Sequence, residues 1–218
     1  MTPPNPTAED DPISVERRRL RTLTPAGTRA VAAAVADWAT PGDVVVLTGD
    51  LGAGKTTFTQ GLALRLGVTA PVTSPTFTIM SHYEGARPGT DGGGLRVNHL
   101  DVYRLGSLAE AEELGLDELF DGDALTLIEW GEMIEPLLPA ERLTVALELA
   151  PIDDAGSEAD PGGPGDPADT RILTMTTRGH GAARRAELHR LLDEALRGHD
   201  EVSDERGDAT PGKDTGRC

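Results

Sequence analysis

Residues 43–66 read DVVVLTGDLGAGKTTFTQGLALRL, and the rest of the chain is best read outward from them. Asp43–Thr48 is a β-branched apolar run of the kind that a strand buried on both faces requires. Gly49–Gly54 is a glycine loop. Lys55–Leu66 sets Phe58, Leu62 and Leu66 on one side, with Gly67 placed to end a helix. Within this stretch, Gly49 to Thr56 fits G-x-x-x-x-G-K-[ST] with the strand before it and the helix after it that the motif needs. Glycines let the backbone curl so that successive N–H groups face one anion, and the helix start adds its positive end. Lys55 then reaches the β- and γ-phosphates of a nucleotide, and the Thr56 hydroxyl is placed for Mg²⁺. Asp50, Leu51, Gly52, Ala53, Gly54, Lys55, Thr56 and Thr57 are the expected nucleotide contacts. Guanine is commonly read through N-K-x-D, which needs a second lysine, and the chain has only Lys55 and Lys213. ATP is therefore favoured over GTP. No LSGGQ-like signature is present.

Composition narrows the partners. The 218 residues carry 20 Lys plus Arg against 37 Asp plus Glu, a net charge of −17. Residues 20–150 alone hold 8 basic and 18 acidic side chains, so this part has no broad basic face for nucleic acid. Eighteen of the 20 basic residues are arginine, which marks Lys55 as a position where arginine would not serve. A single cysteine, Cys218, excludes an internal disulfide framework and a cysteine zinc site within this sequence. No stretch approaches the ~20 apolar residues of a membrane span. The start, MTPPNPTAEDDP, has no basic or apolar signal character, so a soluble, cytoplasmic protein is expected.

On both sides of the loop the pattern is α/β. A short strand is expected at Arg19–Leu23. Thr24-Pro25 then caps a helix whose buried face is Val31, Ala34, Val35 and Trp38, ended by Pro41-Gly42. Extended segments are expected at Thr76–Tyr83 and Leu95–Val102, joined by a flexible tip, EGARPGTDGGG. Short acidic helices follow over Ser107–Leu119, then a buried strand at Ala124–Glu129 and a helical turn or two at Glu132–Leu138. Leu143–Leu149 and Ile172–Thr177 read as an antiparallel pair. The tract between them, PIDDAGSEADPGGPGDPADT, has nothing to bury. Lengthening a ~4-residue turn to ~20 costs only about 1.4 kcal/mol of closure entropy, so a core tolerates it. Leu188, Leu191, Leu192, Ala195 and Leu196 mark a last amphipathic helix. The expected organisation is a disordered tail over 1–18, one ATPase domain over 19–197 with a disordered insertion at 150–170, and a disordered tail over 198–218. Its fold is a P-loop NTPase fold, a small, mainly parallel sheet flanked by helices with a C-terminal antiparallel strand pair.

A phosphate loop needs a carboxylate to support Mg²⁺ and a group to place water. Asp101, in His99-Leu100-Asp101-Val102-Tyr103-Arg104, ends an apolar strand where a Walker-B-like acid belongs. A turn-capping acid is the other reading. Glu129 follows a second buried strand and suits the orientation of water or the sensing of γ-phosphate, or else a structural hydrogen-bonded role. Glu132 is as readily a solvated helix-start residue. The segment Thr73-Ser74-Pro75-Thr76-Phe77 reads either as a switch-like loop or as a plain turn. Trp130 borders the nucleotide or simply packs, and Arg104 balances phosphate or holds Asp101. The five histidines show no paired ligand spacing, so neither zinc nor a histidine base is expected.

Taken together, GDLGAGKTT (49–57), SPTF (74–77), HLDVYRL (99–105) and LIEWGE (127–132) resemble the bacterial TsaE ATPase family, in the family's order. The resemblance covers about residues 20–149, and more loosely 172–177. It implies a small Mg-ATP-binding subunit for threonylcarbamoyladenosine modification of the adenosine 3′ of the anticodon, acting with TsaB and TsaD. Contact with tRNA falls mainly to those partners. By position, the resemblance makes Lys55 and Thr56 the phosphate and magnesium residues, Asp101 the Walker-B-like acid, Glu129 the second essential acid and Trp130 its neighbour. The catalytic set is thus Lys55, Asp101 and Glu129, with Thr56, Asp101 and Glu129 toward the metal. With no evident arginine finger, hydrolysis is expected to be slow alone and stimulated by partners. A small-molecule kinase is the enzymatic alternative, although Arg87 and Arg96 flank a glycine-rich tip that makes a poor lid. An ATP-dependent assembly module without turnover is the other.

Overall fold

The apolar run just before the glycine loop becomes the central strand β2, Val44–Thr48. The computed structural model describes residues 14–86, 94–120, 122–151 and 169–205. In chain order these form β1 (Val15–Thr22), α1 (Pro25–Trp38), β2, α2 (Lys55–Arg65), β3 (Met80–Glu84), β4 (Arg96–Asp101), α3 (Leu108–Glu113) and α4 (Leu116–Phe120). There follow β5 (Ala124–Glu129), a 3₁₀ segment (Gly131–Leu137), β6 (Arg142–Leu149), β7 (Arg171–Arg178), α5 (Ala182–Gly198) and β8 (Val202–Asp204).

The strands make one eight-stranded sheet in the order β3-β4-β5-β2-β6-β7-β1-β8. It is mixed. The four strands β4, β5, β2 and β6 run parallel, and antiparallel neighbours extend the sheet at both margins. The expected parallel centre and the β6–β7 pair are present, and the antiparallel part is larger than one pair. Alternation along β2 decides which helices cover which face. Val45 and Leu47 join Leu125, Leu127, Leu143 and Val145 in a core closed by α1, α2 and α5. Val44 and Val46 pack with Leu100 and Ile128 against Ala111, Leu116 and Ile134 on the other face. A one-residue slip of β2 would exchange the two sets, so the register is strongly specified.

Local chemistry starts and ends the helices where the sequence indicates. Thr24 accepts a hydrogen bond from the Gly27 N–H at 3.1 Å, with Pro25 in the first turn of α1. Beyond α2, Gly67 takes φ +80° and the Val68 N–H bonds back to the Ala63 carbonyl.

The ends of the chain depart from expectation. Strand β1 begins at Val15, not Arg19, and pairs along its whole length with β7, so residues 14–18 are not a disordered tail. Its sequence, VERRRLRT, buries only Leu20 and Thr22 and so carries little apolar signal. Backbone pairing and ion pairs hold it, among them Arg18 with Asp193 at 2.6 Å and with Asp204 at 2.9 Å. Likewise the segment after Gly198 is not wholly a tail, because β8 adds to the outer edge of β1 and buries Val202. Thr76–Ile79 forms a turn, with Ile79 at φ +65°, and the extended segment starts only at Met80. The tip at 87–93, the tract 152–168, residues 1–13 and residues 206–218 lie outside the described residues. Among the described residues, no helix is long and apolar enough to cross a membrane.

Candidate functional site

Parallel register brings the acids to the loop. Leu47, the penultimate residue of β2, is paired with Glu129 at the end of β5, and Glu129 is paired with Asp101 at the end of β4. Three neighbouring strands therefore end side by side, and the chain leaving β2 is the glycine loop. Ligands of open α/β sheets lie at such carboxyl ends.

The loop's curl depends on glycine. Gly49, Gly52 and Gly54 have φ of +125°, +81° and +108°. A Cβ on Gly49 would stand 2.1 Å from the Leu147 carbonyl oxygen, so no side chain fits there. Lys55 is buried to 5% exposure and donates from Nζ to the carbonyls of Gly49, at 2.6 Å, and Asp50, at 2.9 Å. The same ammonium lies 3.5 Å from the centroid of the Trp130 ring. Burial lowers the Lys55 pKa, opposed by the surrounding carboxylates of Glu129, Glu132, Asp101 and Asp50.

Glu129 is itself a node. One carboxylate oxygen accepts from Thr56 Oγ1 at 3.1 Å; the other accepts from Thr59 Oγ1 at 3.1 Å and from the His99 ring at 3.0 Å. Asp101 accepts from Ser74 Oγ, from Thr76 Oγ1 at 3.0 Å and from the Tyr103 N–H at 3.0 Å. Trp130 adopts φ +64° immediately after β5, and Gly131 follows because a Cβ there would meet Val46 Cγ1 at 2.3 Å. The Trp130 ring lies 4.7 Å from that of Tyr103. These groups surround a cleft of about 300 Å³ lined by Leu51, Gly52, Gly54, Lys55, Thr56, Thr57, Ser74, Thr76, Asp101, Tyr103, Glu129 and Trp130.

Most of the residues picked from sequence thus converge. Two do not: Asp50 is exposed and Ala53 packs into the core, and neither lines the cleft. Leu51 is 86% exposed at its rim. Arg104 stacks on the Phe77 ring at 4.3 Å, not on Asp101, and Glu132 is exposed. Arg96 pairs with Asp123 at the far end of β4. The SPTF segment is joined to the site through Ser74 and Thr76, so it is more than a plain turn. Two contributors escape the sequence reading: Thr59 and, above all, His99, set aside there only for want of a second histidine. The signal was the period of two along β4, which puts His99 on the same face as Asp101.

Thr56, Asp101 and Glu129 offer hard oxygen donors, the chemistry Mg²⁺ takes when it shares ligands with phosphate. Among the described residues, no three His, Cys, Asp or Glu side chains are gathered into a closed metal cage.

Comparisons with known proteins point to one family. The family model described as "Threonylcarbamoyl adenosine biosynthesis protein TsaE" matches residues 22–154. A tRNA threonylcarbamoyladenosine biosynthesis protein TsaE from Bacillus subtilis (strain 168) is 41% identical over 189 residues, spanning 87% of this chain and 99% of that protein. One of the same name from Treponema pallidum (strain Nichols) is 44% identical over 108 residues, 50% of this chain and 74% of that protein. Among solved structures, Bacillus subtilis YdiB superposes with a TM-score of 0.59 at 37% identity, over 85% of this chain and 97% of that one.

Proposed function

This chain belongs to the TsaE family of tRNA threonylcarbamoyladenosine biosynthesis proteins, and from that premise we propose that it is the Mg-dependent ATP-binding and ATP-hydrolysing subunit of that modification. It acts with TsaB and TsaD, and hydrolysis resets the complex between turnovers without carrying out the transfer chemistry. Contact with tRNA falls mainly to the partners, in keeping with the net charge of −17.

One observation carries the reading: the adjacent pair Lys55-Thr56 and the distant acids Asp101 and Glu129 line one cleft at the ends of β2, β4 and β5. In this account the loop amides and the Lys55 ammonium bind the β- and γ-phosphates. Thr56 and Asp101 hold Mg²⁺, which when bound neutralises charge developing on the phosphate oxygens. Glu129, fixed by three donors, orients the attacking water. The Ser74 and Thr76 hydroxyls, which donate to Asp101, hold that carboxylate in the cleft wall. No arginine lines the cleft among the described residues, which supports slow turnover alone and stimulation by a partner.

Nucleotide binding to the full chain, measured by calorimetry with Mg-ATP, Mg-GTP and Lys55→Ala, tests the reading. Preference for ATP and loss of binding in the variant are expected. Equal binding by both chains would refute it.

A further inference from the structure

The phosphate loop is gripped from outside its own motif. Arg171, the first residue of β7, donates from Nε to the Ala53 carbonyl at 3.0 Å and from Nη2 to the Gly52 carbonyl at 3.3 Å. A further bond runs from Nη1 to the Thr170 carbonyl at 3.2 Å. Arg171 lies beyond residue 154, where the family model's match ends.

A peptide group is planar and trans, so fixing the direction of its carbonyl fixes its N–H on the opposite side. The Ala53 carbonyl shares its plane with the Gly54 N–H. With Arg171 drawing that carbonyl away from the cleft, the Gly54 amide is turned toward it, where a phosphate oxygen is recognised. The Gly52–Ala53 peptide is fixed at both ends, its carbonyl by Arg171 and its N–H by the Asp50 carbonyl at 3.1 Å. On the other limb of the loop, Lys55 takes the carbonyls of Gly49 and Asp50. A guanidinium fork suits this task, since two donors in one plane reach two successive carbonyls, and hydrogen bonding at a carbonyl also strengthens donation by its own N–H.

We propose that Arg171 is a positioning residue for phosphate binding, which pre-sets the Gly52-Ala53-Gly54 backbone and adds a positive charge behind it. The inference rests on the nucleotide-site reading above. Because the loop cradles the β-phosphate, Arg171 acts on Mg-ADP and Mg-ATP alike.

The test is calorimetric titration of the full chain with Mg-ATP and Mg-ADP for wild type, Lys55→Ala, Arg171→Gln and Arg171→Lys, with thermal unfolding of each nucleotide-free protein. Arg171→Gln is expected to weaken both nucleotides about tenfold, while the nucleotide-free melting temperature moves by less than about 3 °C. Arg171→Lys, which keeps the charge but not the fork, is expected to recover part of the loss. Wild-type affinity in Arg171→Gln alongside lost binding in Lys55→Ala would overturn this inference alone. So would a loss of affinity matched by a large fall in the nucleotide-free melting temperature, which would make Arg171 a strut of the fold. A wild-type chain that binds neither nucleotide would overturn the site reading and this inference with it.

Discussion

His99 donates from Nε2 to Glu129 Oε1 at 3.0 Å, with both side chains buried. Its other ring nitrogen, Nδ1, finds no hydrogen-bond partner among the described residues. An unmet buried polar atom is a cost that apolar packing would avoid, and the bond to Glu129 through Nε2 is what the ring supplies against it. Replacing His99 by Leu is expected to lower ATP turnover roughly tenfold or more while leaving nucleotide affinity within about threefold. His99→Gln, which carries an N–H near the same place, is expected to keep most of the rate. Steady-state kinetics beside calorimetry separates the two quantities.

Lys55 over the Trp130 ring provides a reporter. Phosphate binding is expected to draw the ammonium away from the indole, so that Mg-ATP changes Trp130 emission. The other tryptophan, Trp38, is buried against Arg184 and His180, away from the cleft. In a Trp38→Phe background the change should persist, and in Lys55→Ala it should vanish together with a loss of about 100-fold or more in affinity.

Gly49→Ala forces a Cβ into the Leu147 carbonyl at φ +125°. A destabilisation of about 2–4 kcal/mol and loss of nucleotide binding are expected, measured by urea unfolding and titration. Gly52→Ala meets nothing within 4 Å and bears only the cost of its φ of +81°, so it should be milder, about 1–2 kcal/mol.

Asp43, just before β2, ties the sheet to α5. It accepts from Arg184 Nη2 at 2.5 Å and from the Thr40 N–H at 2.7 Å, with the His180 ring 3.9 Å away. Burial alone would raise its pKa, but His180, the Thr40 N–H and the Arg184 charge outweigh burial and hold it below the ordinary carboxylate value. The folded pKa is thus depressed, and its contribution is complete above the unfolded value of about 3.9. As pH falls through the folded pKa that contribution is lost, because the unfolded chain binds the proton more readily. Asp43→Asn should therefore cost about 1–3 kcal/mol at neutral pH and less below about pH 4, when stability is followed by denaturant titration.

The centre of the molecule was legible because its signals are local or strictly periodic. A β-branched run, a glycine loop and a capped helix each announce themselves within a dozen or so residues. Asp101 and Glu129 were found because each ends an apolar strand. The margins were not legible. Strand β1 is held by pairing with β7 and by arginine ion pairs with residues more than 170 positions away, which no local pattern shows. Strand β8 is three residues long with one buried side chain. Arg171 escaped notice for the same reason: its role depends on register, which sets it beside a loop 118 residues earlier. His99 was visible as the alternate residue to Asp101 but reads as a core histidine until Glu129 is placed opposite.

Partner-gated hydrolysis at this one cleft is the central proposal for this chain. Phosphate release from Mg-ATP should be measured for the wild-type chain and Lys55→Ala, each alone and with purified TsaB and TsaD. A low basal rate, raised several-fold by the partners and abolished by the substitution in both conditions, is the predicted result. A rate that ignores the partners, or that survives Lys55→Ala, would contradict it.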